Sequence, residues 1–246
     1  MRDGHGALVT GAANGIGRAT AARLAAAGAR VCAVDREEAP APRGGAAIVA
    51  DLAELEALPA LVVRAEEEVG PLDALVNVAG IYEPTPLAGL TAEALGRTLA
   101  VNMQAPILLA AAAAAGMSER GYGRIVNVTS VHARFSALDA IAYDASKAGL
   151  EGATRTLGIE LASSGVLVNA VAPGFVATRM ALSEEGRDVL ESGPLHRAYI
   201  DEGRLPQRRS ATADEVAGCI LWLAGPANTY VTAQTVTIDG GLTATF

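Results

Sequence analysis

The stretch ALVTGAANGIG, residues 7–17, decides how the chain is read. Four strand-forming residues, ALVT (7–10), run straight into the glycine-rich turn TGAANGIG (10–17), which opens GRATAARLAAAG (17–28). That last segment places small and apolar residues at helical spacing and ends on a glycine stop. The same unit then recurs along the chain. RVCAV (30–34), AAIVA (46–50), DALVN (73–77), RIVNVT (124–129), VLVNAVAP (166–173) and TVTID (235–239) read as further strands, separated mostly by alanine-rich helical patterns. Most of these runs are apolar throughout instead of alternating, as strands buried on both faces of a parallel sheet are. TADE (212–215) opens another helix with a capping box from Thr212 to Glu215. Strand–helix alternation repeated this often predicts an α/β fold: a doubly wound parallel sheet of about seven strands with helices on both faces. Residues 1–246 are expected to form one domain.

Composition narrows the function classes. A chain of 246 residues with 51% hydrophobic and 19% charged residues can bury one substantial core. A formal net charge of −8 leaves no room for a large basic face, which argues against nucleic acid and anionic membrane as partners. MRDGHGALVTG enters the first strand with no long apolar run before it, so no leader is expected and the cytoplasm is the expected compartment. PILLAAAAAAG (106–116) is too short for a membrane span and is expected to be a buried helix. Cys32 and Cys219 lie in apolar surroundings far apart and are expected to be small core residues, not a disulfide. The three histidines show no ligand-like spacing, so no metal site is expected.

Gly11, Gly15 and Gly17 permit a tight turn and close backbone approach, so a pyrophosphate can rest on the free N–H groups at the helix start. A plain helix-entry turn has the same look. Two features sharpen the reading: its place after the first strand, and Asp35 at the end of the second. A carboxylate there accepts hydrogen bonds from ribose hydroxyls and repels a 2′-phosphate, which favours NAD over NADP. Arg36 beside it works the other way. Asp51, after the third strand, suits either a helix start or a contact to adenine.

YDASK (143–147) contains the only lysine among 19 lysines and arginines. In AYDASKAGLEGATRTLGIELA the two residues Tyr143 and Lys147, four apart, share a helix face. A free tyrosine has a pKa of about 10 and is a poor base near neutrality, whereas an adjacent ammonium favours the phenolate and lowers that value. Lysine suits this task better than arginine because its charge is compact and its stem long. Ser130, at the end of the fifth strand, falls where open α/β sheets place ligands, and can either hydrogen-bond a substrate oxygen or cap the next turn. Asn102 lies inside a helical pattern, where asparagine is mildly unfavourable.

Taken together these residues resemble the short-chain dehydrogenase/reductase family in its compact single-domain, Rossmann-type form. The resemblance covers essentially the whole chain, through TGAANGIG, Asp35, DL (51–52), NVAG (77–80), Asn102, Ser130, YDASK, PGFVAT (173–178) and DGG (239–241). It implies that Tyr143 is the general acid/base and that Ser130 orients the substrate oxygen. Lys147 would also hold the nicotinamide ribose, and Asn102 would hold a water in a proton relay with it. The implied cofactor contacts are Gly11, Asn14, Gly15, Ile16, Gly17, Asp35, Asp51, Leu52, Asn77, Ala79, Gly80, Tyr143, Lys147, Pro173, Gly174, Val176 and Thr178, with Val176 and Thr178 at the carboxamide. Three departures stand out: Val78 where a second asparagine is usual, Ala233 where glycine is common, and EEAPAPRGG (37–45), a short connection where a helix is usual.

The leading expectation is an NAD-dependent oxidoreductase moving hydride between the nicotinamide and a secondary alcohol or its ketone, such as a polyol, sugar, hydroxy acid or cyclic alcohol. A 3-oxoacyl-thioester reductase using NAD(P)H is the enzyme alternative. A non-catalytic NAD-sensing protein is the alternative of another class, although it would be expected to lack Tyr143, Lys147 or Ser130. Residues 179–210 are charged and rich in glycine and proline, too long for an ordinary connection, and are expected to form a substrate lid. Their six arginines and six acidic residues give no net field with which to identify a substrate. His132, two residues past Ser130, is a candidate pocket residue alongside Ser130 and Tyr143. The family resemblance implies a homotetramer packed through the helices that carry Asn102 and Tyr143.

Overall fold

The computed structural model describes residues 4–182, 188, 190–191 and 193–244; Glu184, Glu185 and Arg187 of the expected lid lie outside the described residues. Seven strands form one parallel sheet: β1 Gly6–Thr10, β2 Arg30–Asp35, β3 Ala46–Val49, β4 Leu72–Asn77, β5 Gly123–Val128, β6 Val166–Pro173 and β7 Thr235–Ile238. Their order across the sheet is β3-β2-β1-β4-β5-β6-β7. Each of the seven apolar runs read from the sequence is a strand. The helices are α1 Gly15–Ala26, α2 Leu58–Val69, α3 Ala92–Leu99, α4 Ala105–Glu119, α5 Ile141–Leu161, the short α6 Gly193–His196, and α7 Ala213–Ala224.

The absence of alternation in the strand sequences follows from a core on each face. Leu8, Cys32, Leu75, Ile125 and Val168 point to one side, where Leu61, Val62, Ala65 and Val69 of α2 and Leu109, Ala113 and Met117 of α4 meet them. Their strand neighbours Val9, Val31, Val76, Val126 and Val171 point to the other side, against Ala21 and Leu24 of α1 and Val216, Ile220 and Leu223 of α7. A side-chain period of two therefore feeds two apolar layers, and both registers must be hydrophobic. Cys32 belongs to the first layer and the partly buried Cys219 packs on the second, and both are free thiols.

The helix ends read from sequence are present. Thr212 and Glu215 form the reciprocal capping box at α7, and EEAPAPRGG carries no helix between β2 and β3. The run α3–α4, continuous from Ala92 to Glu119, is longer than the apolar segment suggested and is long and apolar enough by composition to cross a membrane. One face of α4 is buried on the sheet, while Leu108, Ala111 and Ala115 face outward. Ala233, where glycine is common, takes φ +58° and its N–H donates to the Val168 carbonyl at 2.7 Å. That is left-handed backbone occupied without the freedom of glycine.

The strand order reverses between β1 and β4, because the chain leaves β1 outward through β2 and β3 and then returns to the other side of β1. At such a switch point the connections part, and a crevice opens beyond the carboxyl ends of the strands.

Candidate active site

A cavity of about 570 Å³ occupies that crevice. Its wall collects the residues that follow β1, β2, β4, β5 and β6: Gly11, Asn14, Gly15, Ile16 and Gly17, then Asp35, Ala79 and Gly80, then Ser130 and His132, and last Pro173, Gly174, Val176 and Thr178. Asp51 and Leu52 after β3, and Tyr143 and Lys147 from α5, line it as well. Asp51 Oδ1 also accepts from the Ala53 N–H at 2.9 Å, so it serves the local turn while lying on the wall.

One end of the cavity is built to receive an anion. Gly11 has φ +67°, and a Cβ there would lie 2.8 Å from the Ala79 nitrogen, so only glycine lets the first turn lie against the loop after β4. At Gly17 a Cβ would collide with the Gly11 carbonyl oxygen. Helix α1 then begins with no side-chain cap from Asn14 and no acidic residue in its first turn. Its first N–H groups and the positive end of its dipole are left for a ligand. Next to this cradle Asp35 is fixed: Oδ2 accepts from the Ala13 N–H at 2.9 Å and Oδ1 from the Glu37 N–H at 3.1 Å. Each oxygen keeps acceptor capacity toward the cavity. Arg179 forms a two-pronged pair with Glu37, at 2.8 and 3.1 Å, so the guanidinium that approaches Asp35 from the loop after β6 is already matched by a carboxylate.

The other end holds the hydroxyl and ammonium groups. Ser130 caps the turn Val131–Ala133, its Oγ accepting from the His132 N–H at 3.2 Å, and it lines the cavity. The same hydroxyl hydrogen-bonds the Tyr143 phenol, so the two groups stand together on the wall. Tyr143 is buried, with its ring edge-on to Tyr82 at 5.1 Å and to His132 at 5.5 Å between centroids. Lys147 is 3% exposed, and its Nζ donates to the Val128 carbonyl at 2.9 Å. The other two ammonium hydrogens have no partner among the described residues, beside the point where a Cβ on Gly80 would lie 3.4 Å from Nζ.

Electrostatics depart from the sequence argument here. By that argument the adjacent lysine lowers the Tyr143 pKa. Instead burial pushes it up to about 12, against a downward pull from the hydrogen bond with Ser130, with Asp144 and Tyr82 adding to the rise. Burial likewise brings Lys147 down to about 8. With Nζ 5.6 Å from the Tyr143 ring centroid, withdrawal from water outweighs the pull of the ammonium, and both groups are driven toward their neutral forms.

Two expected site residues stand behind the wall, not in it. Asn77 is buried, and its Nδ2 donates to Asn127 Oδ1 at 2.9 Å and to the Pro106 carbonyl at 3.3 Å, tying β4 to β5 and to the start of α4. Asn102 is fully buried in the π-helical turn Ala100–Gln104 between α3 and α4. Its Oδ1 accepts from the Ile81 N–H at 2.8 Å, and its Nδ2 donates to the Ile81 carbonyl at 2.9 Å and to Ser146 Oγ at 3.1 Å. Asn102 thus braces the loop after β4, and the amide hydrogens of both residues are engaged. Thr10 does the same from β1, its Oγ1 accepting from Val78 and Ala79 at 3.0 and 3.1 Å. Wall residues not foreseen from sequence include Tyr82 and, from the segment after β6, Met180, Leu195 and Tyr199. Phe175, with a ring centroid 4.9 Å from that of Tyr199, ties this segment to the strand end.

Comparison with known proteins agrees with this geometry. Residues 11–243 match the family model described as enoyl-(acyl carrier protein) reductase. The short-chain reductase protein NovJ of Streptomyces niveus is 40% identical, the match covering 96% of this chain and 92% of that protein. A 3-oxoacyl-[acyl-carrier-protein] reductase of Synechocystis is 37% identical over 96% of both chains. The galactitol 2-dehydrogenase (L-tagatose-forming) of Cereibacter sphaeroides is 38% identical over 98% of this chain and 96% of its own. Among solved structures, a protein from Thermus thermophilus superposes with a TM-score of 0.89 at 34% identity, each chain covered in full. An actinorhodin polyketide ketoreductase variant with NADPH gives 0.85 at 35% identity over 96% of both chains.

Proposed function

The chain belongs to the short-chain dehydrogenase/reductase family, and on that premise we propose that it is an NAD-dependent oxidoreductase interconverting a secondary alcohol and its ketone. The observation that carries this reading is the meeting of Ser130, Tyr143 and Lys147 on one wall of a cavity whose far end is a glycine cradle at an uncapped helix start. A dinucleotide fits these residues. The free N–H groups of α1 suit its pyrophosphate, Asp35 its adenosine ribose, the unpartnered ammonium hydrogens of Lys147 its second ribose, and Val176 and Thr178 its carboxamide. When bound, the nicotinamide supplies or accepts the hydride. The remaining work falls to the protein. Ser130 donates to the reacting oxygen and fixes its position. Tyr143, protonated at neutral pH, gives its proton to that oxygen as a ketone becomes an alcohol and takes it back in the reverse direction. Asn102 and Thr10 act at one remove, by holding the loop that carries Ala79 and Gly80. Met180, Leu195 and Tyr199 bound the substrate end, and substrate shape is assigned to them.

Cofactor preference follows from Asp35. Its carboxylate repels a 2′-phosphate, and the nearest cation from the loop after β6, Arg179, is taken up by Glu37. The kcat/KM with NAD should exceed that with NADP, and Asp35→Ala should shift the ratio toward NADP by about tenfold or more, since a unit charge a few ångströms away in a partly buried site is worth over 1 kcal/mol. An unchanged ratio would remove Asp35 from this role.

A 3-oxoacyl-thioester reductase is the second reading, favoured by the description of the matching family model and by the Synechocystis relative. Turnover of a panel of polyols, sugars, hydroxy acids, cyclic alcohols and 3-oxoacyl thioesters with both cofactors separates the two.

For the assembly we propose a homotetramer. The exposed residues Leu108, Ala111 and Ala115 of α4, and Ala145 and Ala148 of α5, give largely small-residue faces on adjacent helices. Ser146, between them in α5, is instead fully buried and bonds Asn102. Light scattering at micromolar concentration should give about four times the chain mass, and a monomer would refute the assembly.

A further inference from the structure

The chemistry above leaves one pair of side chains unused at the substrate end. Asp144 follows Tyr143 in the first turn of α5, and His132 follows Ser130 by two residues in the turn Val131–Ala133. The fold brings them together, with His132 Nδ1 2.7 Å from Asp144 Oδ1 and the side chains 29% and 15% exposed. The imidazole stands edge-on to the Tyr143 ring, 78° between planes, and lines the cavity. A carboxylate only accepts, so the nitrogen that faces it carries the hydrogen. In the neutral ring Nε2 is then an acceptor. No group among the described residues bonds to Nε2.

An acceptor presented beside a carboxylate suits a hydroxyl donor and is ill matched to a carboxylate, a phosphate or a second carbonyl. Tyr143 and Ser130 are assigned to the reacting oxygen, and the histidine ring lies against the Tyr143 ring on the same cavity wall, next to where that oxygen would sit. We propose that His132, oriented by Asp144, accepts a hydrogen bond from a hydroxyl on the carbon next to the reacting one. The substrate is then a vicinal diol, oxidised to an α-hydroxy ketone or formed from it: the chemistry of polyols and sugars, not of 3-oxoacyl thioesters, whose neighbouring carbon bears no donor. This inference rests on the assignment of Tyr143 and Ser130 to the reacting oxygen. His132 is a specificity residue and Asp144 a positioning residue.

Two alcohols that differ by one hydroxyl test it: butane-2,3-diol, as each stereoisomer, and butan-2-ol. In the wild-type protein kcat/KM for the best diol isomer should exceed that for the mono-alcohol by about 10–100-fold, the range for an acceptor that the bound mono-alcohol covers and leaves unpaired. His132→Leu should bring the ratio to within about threefold of unity. His132→Gln, whose amide oxygen accepts, should recover part of it, and Asp144→Ala should lower it by releasing the ring. The same ratio in the leucine variant as in wild type overturns the proposal, as does a glutamine variant no better than leucine. If the leucine variant fails to fold by circular dichroism, the glutamine and alanine variants decide the matter: an unchanged ratio in both overturns it. Failure of every alcohol and ketone to turn over, with NADH still bound by fluorescence titration, strikes the hydride-transfer reading itself, and the role of His132 falls with it. Turnover of both alcohols with a ratio near unity strikes the histidine alone.

Discussion

Replacing Tyr143 by phenylalanine should leave NAD binding nearly unchanged and lower kcat by about 10²–10⁴-fold, the range for a positioned acid/base group. The substitution keeps the ring, and with it the edge contacts to Tyr82 and His132 that help to build the wall. Only the phenolic oxygen is removed, the one atom beside Ser130 that can exchange a proton with the substrate oxygen. Isothermal titration with NADH and single-turnover kinetics separate binding from chemistry, and near-normal turnover would rule out this role for Tyr143. The elevated pKa adds a directional expectation. A phenol raised to about 12 by burial is protonated across the ordinary pH range, ready to donate in ketone reduction. Alcohol oxidation needs the phenolate, whose fraction rises about tenfold per pH unit below the pKa. Oxidation should therefore accelerate steadily with pH, while reduction should not, and the phenylalanine variant should show neither trend.

What the chain reveals of itself follows the range of each signal. The five inner strands β2, β1, β4, β5 and β6 are legible because burial on both faces removes polar residues from short runs, and the turn after β1 because glycine is demanded where Gly11 meets Ala79 and Gly17 meets Gly11. Tyr143 and Lys147 are legible because one helical turn places them on the same face. Spacing cannot report depth, however, and depth reverses the expected sign of the tyrosine shift, since water is withdrawn from both groups more effectively than their separation lets them interact. Nor does a motif say which way a side chain faces. Asn77 and Asn102 sit in the right segments yet spend their amides on Asn127, Pro106, Ile81 and Ser146. Contacts between distant segments are beyond the reach of spacing altogether: Glu37 with Arg179 joins positions 142 apart, and His132 with Asp144 depends on where a strand end and a helix start come to lie.

Lys147→Met should lower activity sharply and make the protein more stable. The ammonium is 3% exposed, has one backbone carbonyl as partner, and has no carboxylate beside it among the described residues. Such a charge is held in the core against its solvation, and an apolar chain of similar length relieves that penalty, by about 1–4 kcal/mol where buried ionic groups have been replaced in this way. The gain should appear at pH 7 in the absence of cofactor, as a higher midpoint in urea. Turnover should fall by about 10²–10³-fold, and NADH should bind more weakly, because the group that faces both Tyr143 and the ribose is gone. The pH dependence carries a definite sign. Burial brings the folded-state pKa of Lys147 down to about 8, against about 10.4 for an unfolded lysine. Between these values the unfolded chain retains a proton that the folded protein has released, so wild-type stability gains as pH rises through that window. Methionine does not titrate. The stability advantage of the variant should thus be greatest below pH 8 and shrink as pH approaches 10. Above about 10 the raised pKa of Tyr143 acts in the opposite sense, because the folded protein then holds a proton that the unfolded chain has lost, and it acts on both proteins alike. Urea unfolding of both at pH 7, 8, 9 and 10 measures the difference directly. A variant less stable at pH 7, or a gap that does not change with pH, would mean that Lys147 is satisfied where it lies and that its burial is not a strain held for catalysis.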